Sequence, residues 1–247
     1  MNKFVLEACV DIVESAIAAQ KGGANRLELC ANLMIGGTTP DINLYHEVRR
    51  NTEIKINVLI RPRFGDFCYS DYEFEIIKKD IQMFIRSGAH GIVCGFLNPD
   101  GSLDTQKMSQ AIAFCGGKNF TLHRAFDVCA DPLAALEQAK KLGVTSILTS
   151  GQKNTALEGK ELIQSLVRQS GPVDILAGSG VNSKNLSELI RGTGAKSYHM
   201  SAKKEKDSAM TYRKSGVPMG LPVMSEYIIW QTEWKEIAAA REILEKI

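Results

Sequence analysis

The sequence has no Cys-x-x-Cys pair, although it holds six cysteines, at positions 9, 30, 68, 94, 115 and 129. That spacing excludes a zinc ribbon and a thioredoxin-like redox motif. No apolar stretch approaches the ~18 residues of a membrane span. The only apolar start, Phe4-Val5-Leu6, stops at Glu7, whereas an export signal needs about 7–15 apolar residues. The expectation is a cytoplasmic chain whose cysteines stay reduced. Charge of one sign is scarce too. Thirty Lys+Arg against 28 Asp+Glu leave a formal net charge of +2, with no basic run longer than a pair such as Lys203-Lys204. Nucleic acid and an anionic membrane surface are therefore not expected partners.

What is present is a regular alternation. The chain has 247 residues, 44% of them apolar and 23% charged, which is ordinary globular composition. Short β-branched or apolar runs predict strands near 4–9, 25–30, 55–61, 90–95, 119–124, 144–150, 173–178 and 196–201. Helical patterns fall at 11–21, 41–50, 71–87, 104–114, 131–142, 156–169, 183–191 and 225–246. Asp71, Asp131 and Ser183 are candidate N-caps, and Pro132 sits at the favoured first helical position. Glycine closes several helices just before the next strand, as at Gly88 and Gly143. Eight strand–helix units in one chain of this length predict an α/β fold, a single-domain (β/α)8 TIM barrel over 1–247. The segment 202–224, with Gly216, Pro218, Gly220 and Pro222, reads as a long irregular stretch after strand 8.

Period-2 alternation then sorts the strand residues by face. Leu6, Ala8, Leu27, Leu29, Ile56 and Val58 suit contact with helices. Glu7, Cys9, Arg26, Glu28, Cys30, Arg61, His123, His199 and Ser201 are left for the interior, most of them near the C-terminal strand ends. A purely structural barrel fills those layers with Val, Ile and Leu, and an unpaired buried charge is strongly disfavoured. Converging charges at that end therefore point to a functional mouth. Glu7, Glu28, Arg61, His123 and His199 are the candidate catalytic set. Arg61 is expected between the two carboxylates, keeping one ionised while the other carries a proton, and a histidine is expected to relay protons. The Gly178-Ser179-Gly180 turn after strand 7, with Ser150, Gly151, Ser201 and Arg63, is the candidate anion-binding set, since glycines let backbone N–H groups approach an anion.

These residues also carry a resemblance. Glu7-Ala8-Cys9, Gly23-Ala24-Asn25-Arg26-Leu27-Glu28-Leu29-Cys30 and Gly36-Gly37-Thr38-Thr39-Pro40 are similar to the opening of the CutC copper homeostasis proteins. Ile60-Arg61-Pro62-Arg63, Gly65-Asp66-Phe67-Cys68-Tyr69, Leu122-His123-Arg124-Ala125-Phe126-Asp127 and Leu148-Thr149-Ser150-Gly151-Gln152 continue the match in order, to about Tyr212. Asp41 and Met200 depart from the family's usual residues, the latter next to the expected pocket. The resemblance implies a TIM barrel, cytoplasmic copper handling and copper(I) held by Cys9 and Cys30. Copper(I) is soft and prefers such ligands. The alternative class is an acid–base enzyme acting on a small anionic or phosphorylated metabolite. The expected partners are thus a copper ion or such a metabolite. No nucleotide cofactor is expected, and a homodimer stays open.

Overall fold

A computed structural model describes residues 3–217, 219 and 224–247. Eight parallel strands follow one another around a closed barrel: β1 (Val5–Val10), β2 (Arg26–Leu29), β3 (Lys55–Leu59), β4 (Gly91–Cys94), β5 (Asn119–Leu122), β6 (Ser146–Thr149), β7 (Asp174–Ala177) and β8 (Ser197–Met200). The barrel shuts where β8 pairs with β1. Helices α1 (Val13–Lys21), α2 (Ile42–Asn51), α3 (Asp71–Arg86), α4 (Thr105–Phe114), α5 (Pro132–Leu142), α6 (Lys160–Gln169) and α7 (Ser183–Thr193) each follow their strand, and α8 (Trp234–Lys246) completes the set. This is the TIM barrel that the alternation predicts.

The face assignment explains why it closes. Leu6, Ala8, Leu27, Leu29, Ile56 and Val58 are fully buried and share one core with Ile77 and Ile81 of α3 and Leu186 and Leu189 of α7. Each fully buried Leu or Ile side chain contributes about 1.5–3 kcal/mol, so the layer between strands and helices dominates stability. The apolar filling of the barrel interior is a separate, small cluster of Cys9, Cys30, Leu59 and Val93. Other inner positions, Glu7, Arg26, Glu28, Asn57 and His199 among them, are polar, which leaves room for a site.

Local chemistry sets the helix ends. Asp131 caps α5 by accepting from Leu133 and Ala134 backbone N–H, with Pro132 at the first position. The caps of α3 and α7 lie one residue before the sequence candidates Asp71 and Ser183: Ser70 closes a reciprocal box with Glu73, and Asn182 does so with Asn185. Gly143 ends α5 at φ +78°, a left-handed conformation in which a Cβ would be strained.

The segment expected to be irregular after β8 is partly ordered. Lys203–Asp207 forms β9 and pairs antiparallel with β10 (Ile228–Thr232), inside the stretch expected as the start of the last helix. Lys-Lys-Glu-Lys-Asp has no apolar alternation, and all five residues are exposed, so nothing in its pattern marks a strand. Pairing with β10 makes it one. The hairpin is anchored below, where Thr232 N–H donates to Ser15 Oγ of α1 at 3.0 Å. Pro218, Gly220 and Pro222 lie outside the described residues. Among the described residues no helix is long and apolar enough to cross a membrane.

Candidate functional site at the barrel mouth

A cavity of about 400 Å³ opens at the C-terminal end of the strands. Its polar lining includes Cys9, Glu28, Arg61, His123, Ser179, Gly180, His199, Ser201 and Lys203. Most of the candidate residues therefore do converge on one mouth. Met200, where the chain departs from its family resemblance, also borders it.

The parallel register decides which charges meet. Glu7 lies level with Arg26 on β2 and with His199 on β8, whereas Cys9 lies level with Glu28. Glu7 is fully buried and accepts from Arg26 Nε and from His199 Nδ1, the latter at 2.8 Å. Burial alone raises its pKa, but the neighbouring Arg26 and His199 outweigh burial and hold the carboxyl at about 2. Glu7 is thus ionised and acceptor-only, so His199 Nδ1 carries the donated proton. His199 is held well above the usual imidazole range against its burial, chiefly by Glu28 and by its contacts with Cys9 and Glu7.

Arg61 does not stand between the two carboxylates, as alternation suggested. It lies two residues beyond the end of β3, and its guanidinium reaches loop carbonyls: Gly36 at 3.3 Å, Gly37 at 3.1 Å and Gly65 at 2.7 Å. Arg26, one step below Glu28 on the same strand, is the counter-ion instead. Period-2 alternation turns Arg26 inward, but only the strand register gives it Glu7 as a partner.

Glu28 is the second carboxylate. Its Oε1 lies 3.5 Å from the Cys9 thiol, and its Oε2 is buried with no hydrogen-bond partner. Burial raises its pKa above the ordinary 4.5, His199 opposes this and Glu7 adds to it. The two carboxylates are therefore split in the expected sense, one low and one raised. A carboxyl whose pKa rises on folding stabilises the fold most when protonated. That contribution is complete below pH 4.5 and is lost as pH rises through the folded value. Glu28→Gln should remove this loss. Thermal denaturation of the metal-free protein should show the variant gaining on the parent as pH rises above 4.5. A gap that stays constant would show that Glu28 is not a strained buried carboxyl.

The two thiols expected to share a metal are 3.8 Å apart, Sγ to Sγ. With metal–sulfur bonds of about 2.3 Å, one ion can touch both. Cys9 Sγ, a Glu28 carboxylate oxygen and a His199 ring nitrogen also lie within 4.8 Å of one another, so two of the five residues expected for catalysis stand beside the first thiol, within reach of one metal ion. The Cys9 thiol is pushed well up, first by hydrogen bonding to Cys30, then by burial and the charges of Cys30 and Glu28.

His123 faces the same mouth from the end of β5. Its Nδ1 accepts from Ala125 N–H at 3.2 Å, and its Nε2 is buried without a partner. Burial, followed by the charge of Arg61, holds its pKa near 3, so it stays neutral and does not serve as a proton relay near pH 7. The Phe67 ring ties the two together, 4.7 Å from the His123 ring and 5.0 Å from the Arg61 guanidinium. No periodicity singles out Phe67, because it lies in a loop.

The anion-binding set is only partly assembled. Arg63 is turned away into contacts with Glu73 and Asp66. Ser150 and Gly151 are already satisfied: Ser150 N–H and Oγ both donate to Asp127 at 3.0 Å, and Gly151 N–H donates to Thr149 Oγ1 at 2.9 Å. The Asp127 carboxylate thus sits where an external anion was expected. Gly178 N–H donates to the Thr149 carbonyl at 3.0 Å and is likewise spent. Ser179, Gly180 and Ser201 remain on the cavity wall.

A model of the CutC family matches residues 4–204. A mouse (Mus musculus) protein named copper homeostasis protein cutC homolog is 43% identical over 98% of this chain and 92% of its own length. The human (Homo sapiens) protein of the same name is 42% identical over 100% of this chain and 91% of its own. The crystal structure of a CutC protein from Streptococcus agalactiae superposes with a TM-score of 0.76 at 30% identity, covering 80% of this chain and 98% of that one.

Proposed function

This chain belongs to the CutC family, and from that premise we propose that it serves copper homeostasis by binding a copper(I) ion at the barrel mouth through Cys9 and Cys30. The observation that carries this reading is the 3.8 Å approach of the two buried sulfurs. Copper(I) is a soft ion, and thiolate with imidazole suits it better than carboxylate or carbonyl oxygen.

The surrounding residues supply what such a site needs. His199 donates Nδ1–H to the ionised Glu7, and its other ring nitrogen becomes a metal donor once copper displaces the proton that its neighbours hold there. A carboxylate that orients a ligating histidine in this way is a common feature of metal sites, and changing it typically costs about 10–100-fold in affinity. Glu28 lies against the Cys9 thiol and is placed to take the proton that the thiol must give up. Because Cys9 holds its proton tightly in the metal-free protein, copper uptake releases protons and its apparent affinity rises with pH. Six unpaired thiols suit a reducing compartment such as the cytoplasm.

The reading is tested by anaerobic titration of the reduced protein with copper(I) against a competing chelator. One ion per chain should bind, and X-ray absorption should find sulfur neighbours on the copper. Absorption showing only nitrogen and oxygen neighbours would reject the thiol site.

A further inference from the structure

The copper reading uses Cys9, Cys30, Glu28, His199 and Glu7. A second group lines the same cavity from just beyond the ends of β3, β5 and β7 and has no part in that site. The polar atoms this group presents are donors. A neutral imidazole that accepts on Nδ1 carries its hydrogen on Nε2. His123 accepts on Nδ1 from Ala125 N–H, so its buried, unpartnered Nε2 is a donor with nothing to donate to. Buried donors are nearly always satisfied, and an unsatisfied one on a residue that lines a cavity calls for an acceptor. Arg61 is a permanent cation, 7% exposed, with no carboxylate in salt-bridge range among the described residues and with Nε also unpartnered.

The β7 turn adds two more donors. Ser179 and Gly180 are both left-handed, at φ +77° and +71°, and among the described residues neither N–H has a hydrogen-bond partner. This is not a helix-terminus site. The first amides of α7 are spent on Asn182 and Glu236, with Ser183 N–H donating to Glu236 at 2.6 Å and Lys184 N–H to Asn182 at 3.0 Å.

We propose that the barrel mouth holds an oxyanion subsite, formed by Arg61, His123 Nε2–H and the backbone amides of Ser179 and Gly180, that binds the carboxylate or phosphate group of a small molecule. A fixed cation with several fixed N–H donors matches the charge and the several lone pairs of such a group. None of the four residues is a copper ligand in the reading above, so the two sites stand or fall separately.

The test is a titration of the metal-free, reduced, 15N-labelled protein followed by NMR, with inorganic phosphate in one arm and malonate in another. Sodium chloride serves as the ionic-strength control. The expected result is saturable shifts at the Ser179 and Gly180 amides and at the His123 ring nitrogens, before about 10 mM. Tighter phosphate binding assigns a phosphorylated ligand, and tighter malonate binding a carboxylate one. His123→Asn keeps an acceptor for Ala125 N–H but lacks the far donor, and it should bind about 10-fold more weakly, the scale of one charge-assisted hydrogen bond. Its copper(I) stoichiometry should be unchanged. Shifts that merely follow the chloride control, or a His123→Asn variant that binds as tightly as the parent, would overturn the subsite. If that variant does not fold, the parent's His123 ring decides, because a ring unmoved by either anion overturns the proposal as well.

Discussion

A Cys9→Ser/Cys30→Ser double variant is expected to lose stoichiometric copper(I) binding, with affinity falling by at least about 100-fold, because changing a residue that merely orients a metal ligand already costs about 10–100-fold. Serine is nearly isosteric with cysteine, so the barrel should stay folded. What it lacks is the polarisable sulfur that copper(I) prefers to oxygen. The matching control replaces Cys115 and Cys129. Both are buried, but Cys115 donates to the Ala111 carbonyl within α4, and Cys129 sits near Asp127 and Asp131. Neither lies in the mouth. Chelator competition on both double variants measures the difference. Equal loss in the two would mean that copper binds thiols indiscriminately, and the barrel-mouth site would have to be abandoned.

Arg26→Met is expected to be the most destabilising single change at the site. Glu7 has no exposed side-chain surface, and Arg26 and His199 are its partners. Removing one partner of a buried ion pair leaves an uncompensated charge and typically costs about 3–5 kcal/mol. For a chain of this size that lowers Tm by roughly 10 °C. The sign with pH follows from Glu7. Its folded value of about 2 lies below the ordinary 4.5, so its contribution is present above pH 4.5 and is lost as pH falls from there toward 2. The gap between parent and variant should therefore be widest near neutrality and narrow in acid. The double variant Arg26→Met/Glu7→Gln should recover part of the loss, since it removes the stranded charge as well as its partner. Scanning calorimetry at pH 7 and pH 4 tests both points. A single variant that melts with the parent at pH 7 would show that the pair contributes nothing.

Much of the site was legible before the fold was known. Alternation alone turned Glu7, Cys9, Glu28 and Cys30 inward, because a strand that buries Leu6, Ala8, Leu27 and Leu29 against helices has no other place for the intervening side chains. What alternation lacks is a vertical coordinate. It treats Arg26 and Arg61 as equivalent inward cations, yet one is level with Glu7 in the ladder and the other lies beyond the end of β3, among loop carbonyls. Loop donors were equally opaque. Asp127 was visible in its motif, but nothing in the order of residues says that its carboxylate folds back onto Ser150.

The sequence by itself determined the eightfold strand–helix alternation, the layer that holds it together and the pair of cysteines facing inward, since periodicity and burial are properties of short segments. Tertiary structure alone decided which charges meet. The stagger between parallel strands places Glu7 against Arg26 and His199, and Cys9 against Glu28, and closure of the barrel brings His199, 192 positions away, to within 2.8 Å of Glu7. It also decided which donors remain free, because an N–H group is available to a ligand only when no other part of the folded chain has taken it.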